Sequence, residues 1–173
     1  MRSERRKNVI MWISYALMAL VLLVFQMGFM SHYPLFGAVP NIIPVCVASV
    51  AVFEGHIAGG IFGMVCGFFL DASGSADVWL YTAALSAGGY AIGMIASYTS
   101  RGVLFSCFMW SLALSAAIGL CQFFWYGIIG GSAAEAGKIA LVQTLYSSAF
   151  ALPVRYIAGL IHKKREETGY GRI

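Results

Sequence analysis

Few residues of this chain could do chemistry, and the carboxylates of Asp71 and Asp77 are the first candidates. They flank a short Ser/Gly turn, where two outward carboxylates could bind a cation or act as an acid–base pair. We favour a solvated loop in which Asp71 bonds the turn backbone. The Gly-Gly-Ser run at 130–132 lacks the surroundings of a nucleophile elbow, and no phosphate-binding loop or His-Glu-x-x-His motif occurs. We therefore expect no catalytic residue and no enzymatic activity.

Metal and redox chemistry would draw on cysteine and histidine, and the placement of these residues argues against both. All cysteines lie inside apolar runs without a Cys-x-x-Cys pair, at Cys46, Cys66, Cys107 and Cys121. A thiol in such surroundings behaves as a small hydrophobe. The histidines lie far apart near segment ends, at His32, His56 and His162, and make no metal-ligand spacing. We predict no metal site and no cofactor.

Two other charges, Glu54 and Arg155, stand among apolar residues. Glu54 separates two apolar runs, where it is either exposed at a cytoplasmic helix end or caps the positive N-terminus of the next helix. Arg155 follows Pro153 inside an apolar segment. It either extends to the lipid headgroups or pairs with an acid or carbonyl inside a helix bundle. With Asp71, these residues are predicted to act as polar pins between helices.

The composition indicates what must position these residues. Of the 173 residues 60% are hydrophobic and 10% are charged, and the mean hydropathy is +0.81. A soluble domain carries about 25% charged residues, so lipid is the expected solvent. At roughly 20 residues per crossing, the length accommodates about six helices and no separate soluble domain. We predict an all-α, polytopic membrane bundle in which residues 1–173 form one transmembrane domain.

Hydropathy divides the chain into six segments, of which the second and third are short. They are about Val9–Met30, Val39–Phe53, Ile57–Leu70, Val78–Tyr98, Val103–Ile129 and Lys138–Ile161. As helices, the second and third would be roughly 22 Å long against a hydrocarbon core of about 30 Å. They form either a thin pair of crossings or a re-entrant hairpin. Pro40 and Pro44 are the candidate bends of the second segment. Proline is tolerated near a helix start, where Pro40 lies, and Pro44 either bends the helix or only ends its first turn.

Basic residues crowd both ends of the chain and set its expected orientation. The clusters are Arg2, Arg5, Arg6 and Lys7 at one end, and Lys163, Lys164, Arg165 and Arg172 at the other. Residues 1–8 and 162–173 are therefore expected to be cytoplasmic, the second a polar and mobile tail. Both clusters abut apolar spans, which favours anionic lipid rather than nucleic acid as their partner. The first apolar run is too long for a signal peptide, so we expect it to be retained.

The clearest spacing in the sequence is a run of glycines at every fourth position. Gly55, Gly59, Gly63 and Gly67 would form one stripe on a helix and allow another backbone to approach closely. A second set at Gly88, Gly89 and Gly93 makes a similar notch in the fourth segment. We expect the third and fourth segments to pack through these notches. Contact with a partner, or with a second copy in a homo-oligomer, is the open alternative.

Taken together, these patterns resemble the rod shape-determining protein MreD family over about residues 39–98. The matching runs are Val39-Pro40-Asn41, Glu54-Gly55, Gly59-Gly60-Ile61-Phe62-Gly63, Gly67-Phe68-Phe69-Leu70-Asp71 and Gly88-Gly89-Tyr90-Ala91-Ile92-Gly93. The resemblance implies a non-catalytic protein of the bacterial inner membrane that belongs to the cell-elongation machinery. It implies binding to MreC, through its transmembrane helix and outer region. It implies indirect links to MreB filaments, a RodA-type glycosyltransferase and a class B penicillin-binding transpeptidase.

The family's fold is similar to that of the substrate-binding subunits of energy-coupling-factor transporters, which supplies a rival hypothesis. A vitamin-type importer subunit would need a polar cavity that opens to the outside. The outer loops predicted here are short, and their polar groups are mainly Asp71, Ser73, Ser75 and Asp77. A scaffold that recognises a partner helix is therefore our first interpretation, with the glycines and polar pins as its working residues.

Overall fold

The computed structural model describes residues 2–28, 41–73, 80–98, 103–129 and 133–170, and within these ranges the chain is helical without strands. The helices are α1 (Arg2–Gly28), α2 (Ile43–Glu54), α3 (His56–Ala72), α4 (Leu80–Tyr98), α5 (Val103–Ile129), α6 (Ala133–Ala149) and α7 (Ala151–Tyr170). The predicted all-α class is confirmed.

Helix α2 lies at the centre of the bundle, in contact with α1, α3, α4, α5 and α7. Every residue from Asn41 to Ala51 is buried. The reason lies in its sequence, because small and β-branched apolar side chains occupy all of its faces. A helix that is apolar all round is stable only when other helices surround it. Its 12 residues make a rod of about 18 Å.

Polar contacts at the two ends of α2 fix the direction of its neighbours. Tyr15 and Gln26 of α1 bond Glu54 and Ile42, respectively, so α1 runs antiparallel to α2. His162 of α7 bonds Glu54, so the end of α7 lies at the same level as the end of α2. Helix α4 runs antiparallel to α3, since Gly67 faces Thr82 and Gly93 faces His56.

The predicted sixth segment is two helices, which corrects the single span Lys138–Ile161. Helix α6 ends at Ala149, Phe150 forms a turn, and α7 begins at Ala151. Pro153 accounts for this break, because it has no N–H to bond the carbonyl of Ala149 and its ring would clash there. The connection between the fifth and sixth predicted segments, residues 130–137, is also shorter than predicted, because α6 already begins at Ala133. The tail that we expected to be mobile is helical through Tyr170.

The outward faces of the helices around α2 carry large apolar side chains. On α1, exposed residues include Ile13, Leu17 and Leu20, and on α3 they include Ile61 and Phe69. Among the described residues, two stretches are long and apolar enough to cross a membrane, Val9–Gly28 with mean hydropathy 2.2 and Cys107–Phe124 with 1.7. Helices α2 and α3 are apolar but shorter.

Candidate functional site

The glycines of α3 lie in its contact with α4, where backbone meets backbone. A Cβ atom at Gly67 would lie 2.5 Å from the Cα of Thr82 and 2.6 Å from the carbonyl oxygen of Tyr81. At Gly63 it would lie against the carbonyl group of Leu85. At Gly59 it would meet Ala51 of α2 at 2.5 Å and the carbonyl oxygen of Gly89 at 2.7 Å. These three positions leave no room for any side chain.

Helix α4 contributes its own glycines to the same contact. A Cβ at Gly93 would lie 2.5 Å from the Cα of His56, and one at Gly89 would lie against the carbonyl group of Gly59. Gly88 faces elsewhere, towards the side chain of Leu114 on α5. The glycine stripe and the α4 notch therefore meet each other within this chain.

Gly55 has a different role from the rest of the stripe. It connects α2 to α3 with φ 89° and ψ −175°, and a Cβ there would meet nothing within 4 Å. This backbone region is almost restricted to glycine. Gly55 therefore allows the chain to reverse between two helices, while its own carbonyl carbon packs under Gly93.

Asp71, at the end of α3, caps the first turn of α4. Its Oδ2 accepts hydrogen bonds from the backbone N–H of Thr82 at 2.9 Å and from the Thr82 hydroxyl at 2.6 Å. Its Oδ1 accepts from the backbone N–H of Tyr81 at 3.2 Å. The carboxylate thus satisfies N–H groups that a helix start leaves free. Its negative charge also interacts favourably with the positive N-terminal end of the helix dipole. Asp77 lies outside the described residues.

Glu54 joins three helices at the other end of the α3–α4 unit. Its side chain is only 6% exposed, and its Oε1 accepts a hydrogen bond from the Tyr15 hydroxyl of α1 at 3.2 Å. The same oxygen lies 3.0 Å from Nδ1 of His162 on α7. Tyr15 is fully buried, and the His162 ring packs on Phe53 with ring centroids 5.3 Å apart. Glu54 therefore links α1, α2 and α7, rather than standing free in solvent.

Arg155 is half-buried on α7, where its guanidinium lies beside the Cys107 thiol of α5. The two carboxylates whose side chains the structure describes, Glu54 and Asp71, both have partners elsewhere. The Nε of Arg155 is buried without a hydrogen-bond partner among the described residues.

A polar cluster at the start of α2 was missed by the sequence reasoning. The amide oxygen of Gln26 accepts a hydrogen bond from the backbone N–H of Ile42 at 2.9 Å. The hydroxyl of Ser147 accepts one from the backbone N–H of Asn41, also at 2.9 Å. Gln26 also donates to Oδ1 of Asn41 at 3.4 Å. A lone glutamine within the apolar run of α1 was the available signal, because a buried amide needs a partner.

Pro44 starts a helix rather than bending one. It is the second residue of α2, where the missing N–H breaks no intrahelical bond. Pro40 lies outside the described residues.

Within the described part of the chain, the four cysteines are free and no group of three metal-binding side chains occurs. Taken together, the geometry serves to hold helices in register.

Comparison of the chain with protein-family models, with curated proteins and with solved structures found no match.

Proposed function

We propose that this chain is a non-catalytic scaffold of the bacterial cell-elongation machinery that binds MreC in the inner membrane. The observation that supports the proposal is that five glycines and Asp71 of the MreD-like pattern lie in a single substructure, the α3–α4 contact. Gly59, Gly63 and Gly67 meet Gly89 and Gly93 across the α3–α4 contact. In the same substructure Asp71 caps α4. Glu54, next to the start of α3, joins α2 to α1 and α7. A resemblance carried by residues that determine one packed unit is more specific than a resemblance in hydropathy alone.

The proposed topology has six crossings with both termini in the cytoplasm. Helices α1 to α5 provide five of them, and α6 and α7 together provide the last, interrupted at Phe150. Exposed apolar side chains on the surrounding helices support lipid as their solvent, because water would not solvate so many neighbouring hydrophobic groups. The basic residues at both ends support the orientation.

Partner recognition in this proposal uses the outer helix faces rather than the glycine stripe. The backbone of α4 already covers Gly59, Gly63 and Gly67, so a partner helix cannot reach them without separating α3 from α4. The glycines instead allow α3 and α4 to pack closely, which holds the outward side chains of these two helices in fixed positions. Through MreC, the scaffold would reach MreB, the RodA-type glycosyltransferase and the class B transpeptidase.

The core of the bundle favours a scaffold over an importer subunit. A substrate-binding subunit needs a polar cavity among its helices. Here the central helix is α2, whose apolar side chains, including Val45, Val47 and Val50, are completely buried against the surrounding helices.

Co-purification tests the proposal directly. The full chain and a tagged MreC from the same genome would be produced together and extracted in mild detergent. We expect stable recovery of both, with no small molecule released on denaturation in mass spectrometry. Failure to co-purify while the chain remains folded, or recovery of a vitamin-like ligand, would contradict the scaffold proposal.

A further inference from the structure

The polar groups that remain unsatisfied in the described part of the bundle share one location. Three buried side-chain nitrogen or oxygen atoms there have no hydrogen-bond partner: Oγ of Ser111, Oγ of Ser115 and Nε of Arg155. All three lie on α5 and α7, which contact each other. Buried polar atoms are normally bonded, so each exception needs an explanation. Of these three groups, the guanidinium of Arg155 is the most costly to bury without a partner, because it is charged.

Arg155 is placed where its charge is costly. It precedes His162 by seven residues, about 10 Å along α7, and His162 lies level with the end of α2. In the proposed topology this puts the Arg155 backbone well inside the hydrocarbon. The Cys107 thiol beside it is a weak acceptor and carries no opposing charge. A cation at such a depth is normally paired.

The surroundings of Arg155 on α7 are those of a helix-binding face. Leu152, Arg155, Tyr156 and Gly159 follow the spacing of one helical stripe. Leu152 is 62% exposed and Tyr156 is 67% exposed, so the stripe is open on both sides of the cation. At Gly159 the nearest atom to an added Cβ would be Phe53 Cζ at 3.6 Å. Gly159 is thus not required for packing within this chain, and it lets another backbone come close.

We propose that this stripe docks a transmembrane helix of the partner, and that an Asp or Glu in the hydrocarbon-spanning part of that helix pairs with Arg155. The inference rests on the proposed function only in that the partner spans the membrane. Charge complementarity selects the occupant, because the stripe offers a cation that has no carboxylate partner among the described side chains, within an apolar face. Arg155 is half-buried rather than buried, so part of the residue remains open to a helix that lies on this stripe.

In-membrane photo-crosslinking tests the proposal. A photoreactive amino acid would replace Leu152 or Tyr156 in cells that also produce tagged MreC. Matched control positions are Leu20 on α1 and Ile61 on α3, which are similarly exposed. We expect crosslinks at the α7 positions that exceed those at the controls. Arg155→Gln should reduce them by about tenfold, and Arg155→Lys should retain most of them, because one charge-assisted hydrogen bond is worth about that factor.

A variant of the partner provides the test should Arg155→Gln fail to fold. Replacing the membrane-embedded Asp or Glu of MreC by its amide leaves this chain intact and should cause the same loss. Absence of any such acid from the MreC helix, or crosslinks unchanged in Arg155→Gln, overturns the inference while co-purification still supports the scaffold. Loss of a bound anionic lipid in native mass spectrometry, without loss of crosslinks, also overturns it and assigns Arg155 to the headgroups. Loss of co-purification itself counts against the proposed function instead.

Discussion

Substitution of Gly63 by alanine tests the packing that holds α3 against α4. An added Cβ would lie 2.7 Å from the carbonyl carbon of Leu85, still closer to its oxygen, and 3.2 Å from the nitrogen of Ser86. Ordinary van der Waals contact begins at 3.4 Å. The helices must therefore separate by at least the difference, 3.4 − 2.7 = 0.7 Å. Because all three atoms belong to the backbone, no side-chain rotation can relieve the overlap.

The size of the effect follows from a comparison with Gly60, which lies three residues before Gly63 on the same helix. A Cβ at Gly60 would lie 3.4 Å from Cβ of Tyr90, which is ordinary contact. Both substitutions gain the same helix propensity, up to about 1 kcal/mol for alanine over glycine. Their difference thus isolates the steric cost, which we place at about 3 kcal/mol, because overpacking against a rigid backbone falls at the upper end of the usual range.

Thermal unfolding of the purified protein in detergent measures this difference. At roughly 2–4 °C per kcal/mol for a chain of this size, Gly63→Ala should unfold roughly 6–12 °C below Gly60→Ala. Gly60→Ala should equal or slightly exceed the parent protein. Gly63→Leu should be worse than Gly63→Ala. Equal unfolding temperatures for the two alanine variants would refute the close α3–α4 contact on which this reasoning depends.

Three other substitutions test the polar and conformational contacts by the same thermal measurement. Asp71→Ala removes three hydrogen bonds at the start of α4 and should cost about 1–3 kcal/mol; an unchanged unfolding temperature would show that the cap is dispensable. Gly55→Ala should cost about 1–3 kcal/mol from backbone conformation alone, although its Cβ meets no atom, and a neutral result would contradict the φ of 89°. Glu54→Ala leaves the buried Tyr15 hydroxyl without this acceptor and should cost more than Tyr15→Phe, which keeps the His162 contact; the reverse order would argue against the linkage.

The sequence predicted the local parts of this arrangement better than the distant ones. A four-residue spacing of glycines necessarily marks one face of a helix, so the residues of the α3–α4 contact could be read directly. Helix α5 begins and ends where the hydropathy changes, at Val103 and Ile129. The pairing of Glu54 with His162 spans 108 residues, and that of Asn41 with Ser147 spans 106. No pattern within one segment reveals which distant residue will meet it.

Two errors came from treating apolar and polar stretches as equivalent to helix and loop. The run around Phe150 is apolar throughout, so hydropathy continued the last segment across a break that Pro153 causes. The end of the chain is rich in Lys, Arg and Glu, and its charge suggested mobility. These residues are good helix formers, however, and α7 continues through them to Tyr170.

The enclosure of α2 has a consequence for how the proposed membrane orientation tolerates bilayers of different thickness. A rod of about 18 Å facing acyl chains about 30 Å deep would suffer a large hydrophobic mismatch. In the proposed orientation acyl chains would not touch α2, however, because α1, α3, α4, α5 and α7 surround it. Adjustment by tilting or local thinning then falls to the outer helices. The length of α2 therefore need not match the membrane thickness. It need only match the distance between the polar contacts at its two ends, which are made by Gln26 and Glu54.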